Sequence, residues 1–128
     1  MLFDTVDRES VDKMIRSFYS IILKDDLVGP YFIRALGDDF ENAKWRGHFK
    51  TLNDFWIMLM TGEEGYMGDP FVPHIFLGEL YFETFERWLE LFYKTVHEFY
   101  IPEIAQAFYK KGEILSAQFM EKLEIVQE

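Results

Sequence analysis

Trp45-Arg46-Gly47-His48-Phe49-Lys50-Thr51-Leu52-Asn53-Asp54-Phe55-Trp56-Ile57-Met58-Leu59 is the stretch on which the reading of this chain turns. At about 100° per residue, His48, Leu52, Phe55 and Leu59 fall within roughly 60° of one another. They form one stripe of a helix expected over about 40 to 61, with Trp45 and Trp56 at its flanks. Lys44, Lys50 and Asp54 point more to the other side. An imidazole therefore stands on an apolar, aromatic face.

Working outward, the helical period persists nearly throughout. Val11, Ile15, Phe18 and Ile22 predict a helix from about 10 to 24, with Ser10 as its N-cap. Gly29-Pro30 breaks the chain, and a short helix runs from Pro30 to Leu36 before Gly37 stops it. Beyond the central helix, Gly62, Gly65, Gly68, Pro70 and Pro73 mark a loop of about ten residues, a length usually kept for function. A helix over about 79 to 99 carries Phe85, Trp88, Leu89, Phe92 and Val96 on one face. Pro102 resets the chain, and a last helix over about 102 to 125 carries Ile104, Phe108, Leu115 and Phe119. No strand, repeat or low-complexity segment stands out. The fold class is all-α, a single domain over residues 1–128, and the helix lengths do not suit four equal antiparallel helices.

Composition excludes several classes of function. The chain has no cysteine, which removes disulfides, thiolate zinc sites, iron–sulfur clusters and thiol nucleophiles together. Thirteen Lys and Arg against 23 Asp and Glu give a formal net charge of −10. Phosphate backbones and anionic lipid repel such a surface, so neither nucleic acid nor a membrane is an expected partner. The longest strongly apolar run, Phe55 to Met60, is far too short to span a bilayer. The N-terminus has no secretory pattern, and a soluble, cytoplasmic protein is expected. Fourteen Phe, 7 Tyr and 3 Trp supply more ring surface than a small helical core ordinarily uses.

Several motifs are set aside. Gly62-Glu63-Glu64-Gly65-Tyr66-Met67-Gly68 lacks the Lys-Ser/Thr and the preceding strand of a phosphate loop, and its acids would repel phosphate. Pro70-Phe71-Val72-Pro73 is better explained as turn residues than as a peptide ligand. His97 has no second histidine at zinc-protease spacing and reads as a surface or capping residue. The absence of any Glu-x-x-His pair disfavours a di-iron bundle.

What remains is a constellation of polar-tipped rings. His74 follows Pro73, which removes a backbone donor and stiffens the approach. Haem iron takes a neutral imidazole from a fixed direction, and Phe71 and Leu77 could line a porphyrin beside it. A partly exposed loop histidine is the commoner explanation for His74 alone, and a satisfied core histidine for His48. Tyr19 faces at least partly inward beside Phe18, and Trp88 brings an indole N–H into an apolar stripe. Ordinary packing accounts for each singly; their coincidence on three helices is harder to dismiss.

The chain resembles the group III (P-type) truncated haemoglobins. The resemblance covers essentially its whole length. It rests on Phe18-Tyr19, on Trp45-Arg46-Gly47-His48 followed by Phe55-Trp56, on Pro73-His74, and on Arg87-Trp88-Leu89-Glu90-Leu91-Phe92. Each piece is weak; their order and spacing are specific. The resemblance implies a truncated globin fold, a two-over-two helical sandwich around haem b (iron protoporphyrin IX). His74 matches the proximal iron ligand, Tyr19 the distal tyrosine that hydrogen-bonds the ligand, and Trp88 the distal-side tryptophan. His48 matches a distal-helix histidine thought to act as a gate. Leu52, Phe55 and Phe85 match haem-contacting positions, with Phe32 a further contact. Ile75-Phe76-Leu77-Gly78-Glu79 departs from the prolines many relatives carry after the proximal histidine. Arg46 and Lys50 are candidates for the propionates, although exposed side chains are the plainer reading.

The function so implied is reversible binding of dioxygen and related diatomic ligands (NO, CO) at a five-coordinate iron, with tight distal hydrogen bonding, in oxygen transport or sensing. The alternative is a haem-dependent oxidoreductase, a nitric-oxide dioxygenase or peroxidase-like enzyme, which needs a reductase. A haem-free helical interaction module is the third reading. A monomer is expected.

Overall fold

The computed structural model describes residues 1–66, 68 and 79–125. Five helices account for most of them: α1 (Arg8–Lys24), α2 (Gly29–Leu36), α3 (Ala43–Thr61), α4 (Phe82–Phe99) and α5 (Pro102–Lys122). Among the described residues there is no strand; a single β-bridge joins Phe3 to Tyr100. One layer is α1 with α3, the other α4 with α5; α1 also packs on α4, and α3 on α5. This is the two-over-two arrangement. α2 leans on α1 at one end.

The ends of the helices follow their capping chemistry. α1 begins one turn earlier than its apolar stripe suggests, because Asp7, not Ser10, is the N-cap. The Ser10 N–H donates to Asp7 Oδ1 at 2.8 Å, and the Asp7 N–H donates back to Ser10 Oγ at 3.2 Å. Ser10 is thus the third helical residue of a capping box, answering two orphan amides. Asn42 caps α3 through Trp45 N–H at 2.8 Å, so that helix starts slightly later than expected. Gly62 ends it in the left-handed region, with φ 78°, where a glycine carries no Cβ clash. At the α1–α2 corner, a Cβ on Gly29 would lie 2.8 Å from Leu23 O and 2.9 Å from Ile22 O. Only glycine lets the two helices turn this closely.

The core is a continuous run of rings between the layers. Phe18 meets Phe92 at 5.3 Å, Phe92 meets Trp56 at 5.2 Å, Trp56 meets Phe108 at 5.7 Å, and Phe108 stacks on Tyr100 at 4.7 Å. Full burial of each phenylalanine contributes roughly 1.5–3 kcal/mol. Tyr100 is fully buried, and its hydroxyl donates to Ser10 Oγ at 2.8 Å. The N-terminal segment is laced to the α4–α5 corner by Phe3 N–H to Phe99 O at 2.8 Å and Ile101 N–H to Phe3 O at 3.0 Å.

Candidate functional site

The aromatic core does not fill the space between the layers. A cavity of about 250 Å³ opens where α1, α2, α3, α4 and α5 converge. Its walls are mostly hydrocarbon and ring. Val28 and Phe32 close one end, Leu52, Phe55 and Trp56 form the α3 wall, and Phe85 faces them from α4. A slot of this kind suits a flat apolar ligand oriented by a few polar groups.

The polar tips come from three helices. Tyr19 of α1, His48 of α3 and Trp88 of α4 all line the cavity. The rings of Tyr19 and His48 meet edge-on at 5.5 Å. His48 also packs edge-on against Trp45 at 5.4 Å, and Trp45 is itself anchored by its indole N–H donating to Gly37 O at 2.7 Å. Trp88 stacks on Phe92 at 4.9 Å while Phe18 meets it edge-on at 5.2 Å. Tyr19 is only 5% exposed. Burial pushes its phenol far above the ordinary tyrosine value, and the hydrogen-bonding Trp88 side chain offsets part of that rise. The phenol therefore keeps its proton throughout the neutral range and remains a donor.

Why these residues face inward is a matter of helical spacing. Tyr19 sits beside Phe18 on the buried side of α1, and His48, Leu52 and Phe55 share a face of α3. Phe85 and Trp88, three residues apart on α4, share a face with Phe92. The seven cavity residues expected from the sequence within the described part — Tyr19, Phe32, His48, Leu52, Phe55, Phe85 and Trp88 — are brought together. His74 and Leu77 lie outside the described residues, as does most of the Gly/Pro loop.

Other cavity residues escaped the sequence reading. Tyr66, Thr84 and Ser116 also line the space. Ser116 lies next to Leu115, already on the inward stripe of α5, and the period could have placed it there. Tyr66 gives no such signal, since it belongs to the segment beyond Gly62. The Thr84 hydroxyl is engaged by Tyr81 N–H at 3.3 Å, which caps α4.

Arg46 and Lys50 are exposed side chains, the plainer of the two readings given them above. Neither lines the cavity; they border a separate groove with Arg8, Arg16 and Asp54. Lys50 pairs with Asp54 at 3.0 Å, which Arg8 also engages at 2.8 Å. One α-helix cannot turn both His48 and these flanking residues to the same side. His97 is satisfied within its own helix, its Nδ1 lying 2.8 Å from Tyr93 O. Among the described residues, no three His, Asp or Glu side chains converge as a metal site, and no helix is long and apolar enough to cross a membrane.

No family model matches the chain. A curated group 3 truncated haemoglobin of Campylobacter jejuni subsp. jejuni is 31% identical over 123 residues, which span 96% of this chain and 95% of the relative. A crystal structure of a group III truncated haemoglobin from Campylobacter jejuni matches with a TM-score of 0.87 at 30% identity, over 96% of this chain and 95% of that one. Sequence and helix arrangement thus agree over nearly the full length of both molecules, and the chain belongs to the group 3 truncated haemoglobins.

Proposed function

We propose that this protein holds haem b in the cavity between its two helical layers and reversibly binds dioxygen and other diatomic ligands there, with His74 as the protein's ligand to iron. The observation that carries the reading is the convergence of Tyr19, His48 and Trp88, from three helices, on one apolar cavity. The donor set fits the group. A macrocycle needs flat apolar walls, which Phe32, Leu52, Phe55 and Phe85 supply, and few competing charges. The relatives are named as truncated haemoglobins, which is why haem is the group considered.

Bound haem supplies an iron with one open position for a small ligand. The chain's own residues then determine how firmly that ligand is held. Tyr19 keeps its proton because it is buried, so its O–H can donate to a ligand that gains negative charge. The Trp88 indole has one N–H and no acceptor; lying near the phenol, it helps hold that ring in one orientation. Rings packed around Tyr19 shield its hydroxyl from water, and a donor in a dry site acts more strongly than the same donor in water. His48, packed edge-on against both Tyr19 and Trp45, serves as the gate: ligand entry requires its ring to swing aside.

A second reading is supported by the same donor pair. A buried phenol donor backed by the indole N–H slows ligand release, which counts against transport, and polarises an O–O bond, which suits a haem-dependent oxidoreductase supplied by a reductase. In either reading the protein acts as a cytoplasmic monomer.

The test is an absorption spectrum of purified protein with and without haemin and reductant. A Soret band at one haemin per chain is expected, and it should be lost or strongly shifted in His74→Ala. No band with the parent protein leaves the haem-free interaction module as the reading. An unchanged band in His74→Ala removes His74 as the ligand.

A further inference from the structure

We infer that the Asp25–Arg87 ion pair is a positioning device for the donor pair, locking the rotation of α4 against α1 and thereby the placement of Trp88 beside Tyr19. The inference rests on the function proposed above.

The geometry is specific. Arg87 Nε donates to Asp25 Oδ1 at 2.7 Å across 62 residues of sequence. The other carboxylate oxygen accepts the backbone N–H groups of Leu27 and Val28, each at 3.1 Å. Three hydrogen bonds thus fix a carboxylate whose side chain is only 8% exposed. Arg87 Nη1 also binds Glu90 on the outer surface of α4, so the guanidinium is held from two directions. Among the described residues this is the only side-chain ion pair between α4 and α1. The remaining α1–α4 ring contacts, Phe18 to Trp88 and Phe18 to Phe92, are apolar and carry no directional bond.

The pair couples the right elements. Asp25 ends α1, the helix that carries Tyr19, and Arg87 immediately precedes Trp88. Through Val28, itself a cavity wall, Asp25 also sets the start of α2 and hence Phe32. A displacement on the order of 1 Å is enough to degrade an aligned polar contact. Without the latch, α4 can rotate about the Phe18 contact and withdraw the indole from the phenol. Arg87 and Asp25 are positioning residues; neither touches the cavity.

The experiment compares the parent, Arg87→Gln and Asp25→Asn, each also with Trp88→Phe. Two readouts are taken: dioxygen dissociation by stopped-flow, and the Trp88 indole ¹H–¹⁵N resonance, identified by its loss in Trp88→Phe and recorded with and without haem. Arg87→Gln and Asp25→Asn should each shift that resonance in both forms and speed dissociation by roughly 3- to 10-fold. In the Trp88→Phe background the same changes should add less than a factor of two. An unmoved indole resonance, or an equal acceleration without Trp88, overturns the inference. Should Arg87→Gln fail to fold, Arg87→Lys, which keeps the charge but not the Nε contact, is judged by the same criteria. If no Soret band forms, the haem reading fails, and the latch is decided by the indole resonance of the haem-free protein alone.

Discussion

Replacing Tyr19 with phenylalanine removes one oxygen and leaves the ring in place. That ring packs on Phe18 at 5.0 Å, Phe32 at 5.3 Å and His48 at 5.5 Å, and none of these contacts needs the hydroxyl. The loss is therefore confined to the hydroxyl, the donor to the ligand and the acceptor that the Trp88 N–H faces. A hydrogen bond to a charged acceptor contributes about 1.5–3 kcal/mol, and at about 1.4 kcal/mol per decade this is roughly a 10- to 100-fold change in a rate limited by breaking it. With Tyr19 only 5% exposed, water cannot easily replace the lost donor, so the upper half of that range is expected. Association should change much less, because the ring itself stays in place. Trp88 acts in part by orienting the Tyr19 ring, so the Tyr19→Phe, Trp88→Phe double variant should lose less than the product of the single effects. The assay is displacement of dioxygen by excess carbon monoxide in stopped-flow, with the Soret band confirming that haem is retained. A dissociation rate within a factor of two of the parent would remove Tyr19 from the mechanism.

Three further outcomes follow from the geometry. His48→Ala should raise ligand association by more than it raises dissociation, since the ring blocks a path rather than holding the ligand; flash photolysis that finds both rates changed equally counts against a gate. Gly29→Ala puts a Cβ 2.8 Å from Leu23 O and 2.9 Å from Ile22 O, both backbone atoms that cannot give cheaply, and should cost about 1–3 kcal/mol; an unaltered Tm would show that the corner relaxes. Burial works against the Asp25 carboxylate, but the Val28 N–H, Arg87 and the Leu27 N–H outweigh it and hold its pKa below the ordinary value. Its contribution to stability is then complete above the unfolded-state value of about 3.9 and is lost as pH falls through the lower folded value. The stability gap between parent and Asp25→Asn should narrow below about pH 4; denaturant titrations showing a constant gap from neutral to acid pH contradict this.

The helices were legible because their signals are local. Four apolar stripes at helical spacing correspond to α1, α3, α4 and α5, and the Gly29-Pro30 and Gly37 breaks bound α2, with ends displaced by a few residues at most. Where an end was misjudged, two capping residues competed: Asp7 and Ser10 are three apart, either could cap, and the reciprocal bonds of the box settle the matter. Tyr19, His48 and Trp88 stood out because a polar tip on an apolar face is unusual in sequence. Tyr66 did not, since a tyrosine in a glycine-rich stretch has no face to violate. The Asp25–Arg87 pair was hidden for a different reason. Each residue lies at a surface-like position, and nothing within either helix points to a partner 62 residues away.

The sequence by itself determined that this chain is helical, where its helices lie, and which rings carry polar atoms into an apolar setting. Those properties depend on the fixed turn of the helix and on side-chain chemistry, both of which act over a few residues. Tertiary structure alone decided that the three rings share one cavity, that Arg46 and Lys50 belong to another groove, and that Arg87 reaches Asp25. Such distances depend on the angles at which helices cross. Those angles are set by the sum of many weak contacts between residues far apart in the chain, and no short stretch of sequence contains that sum.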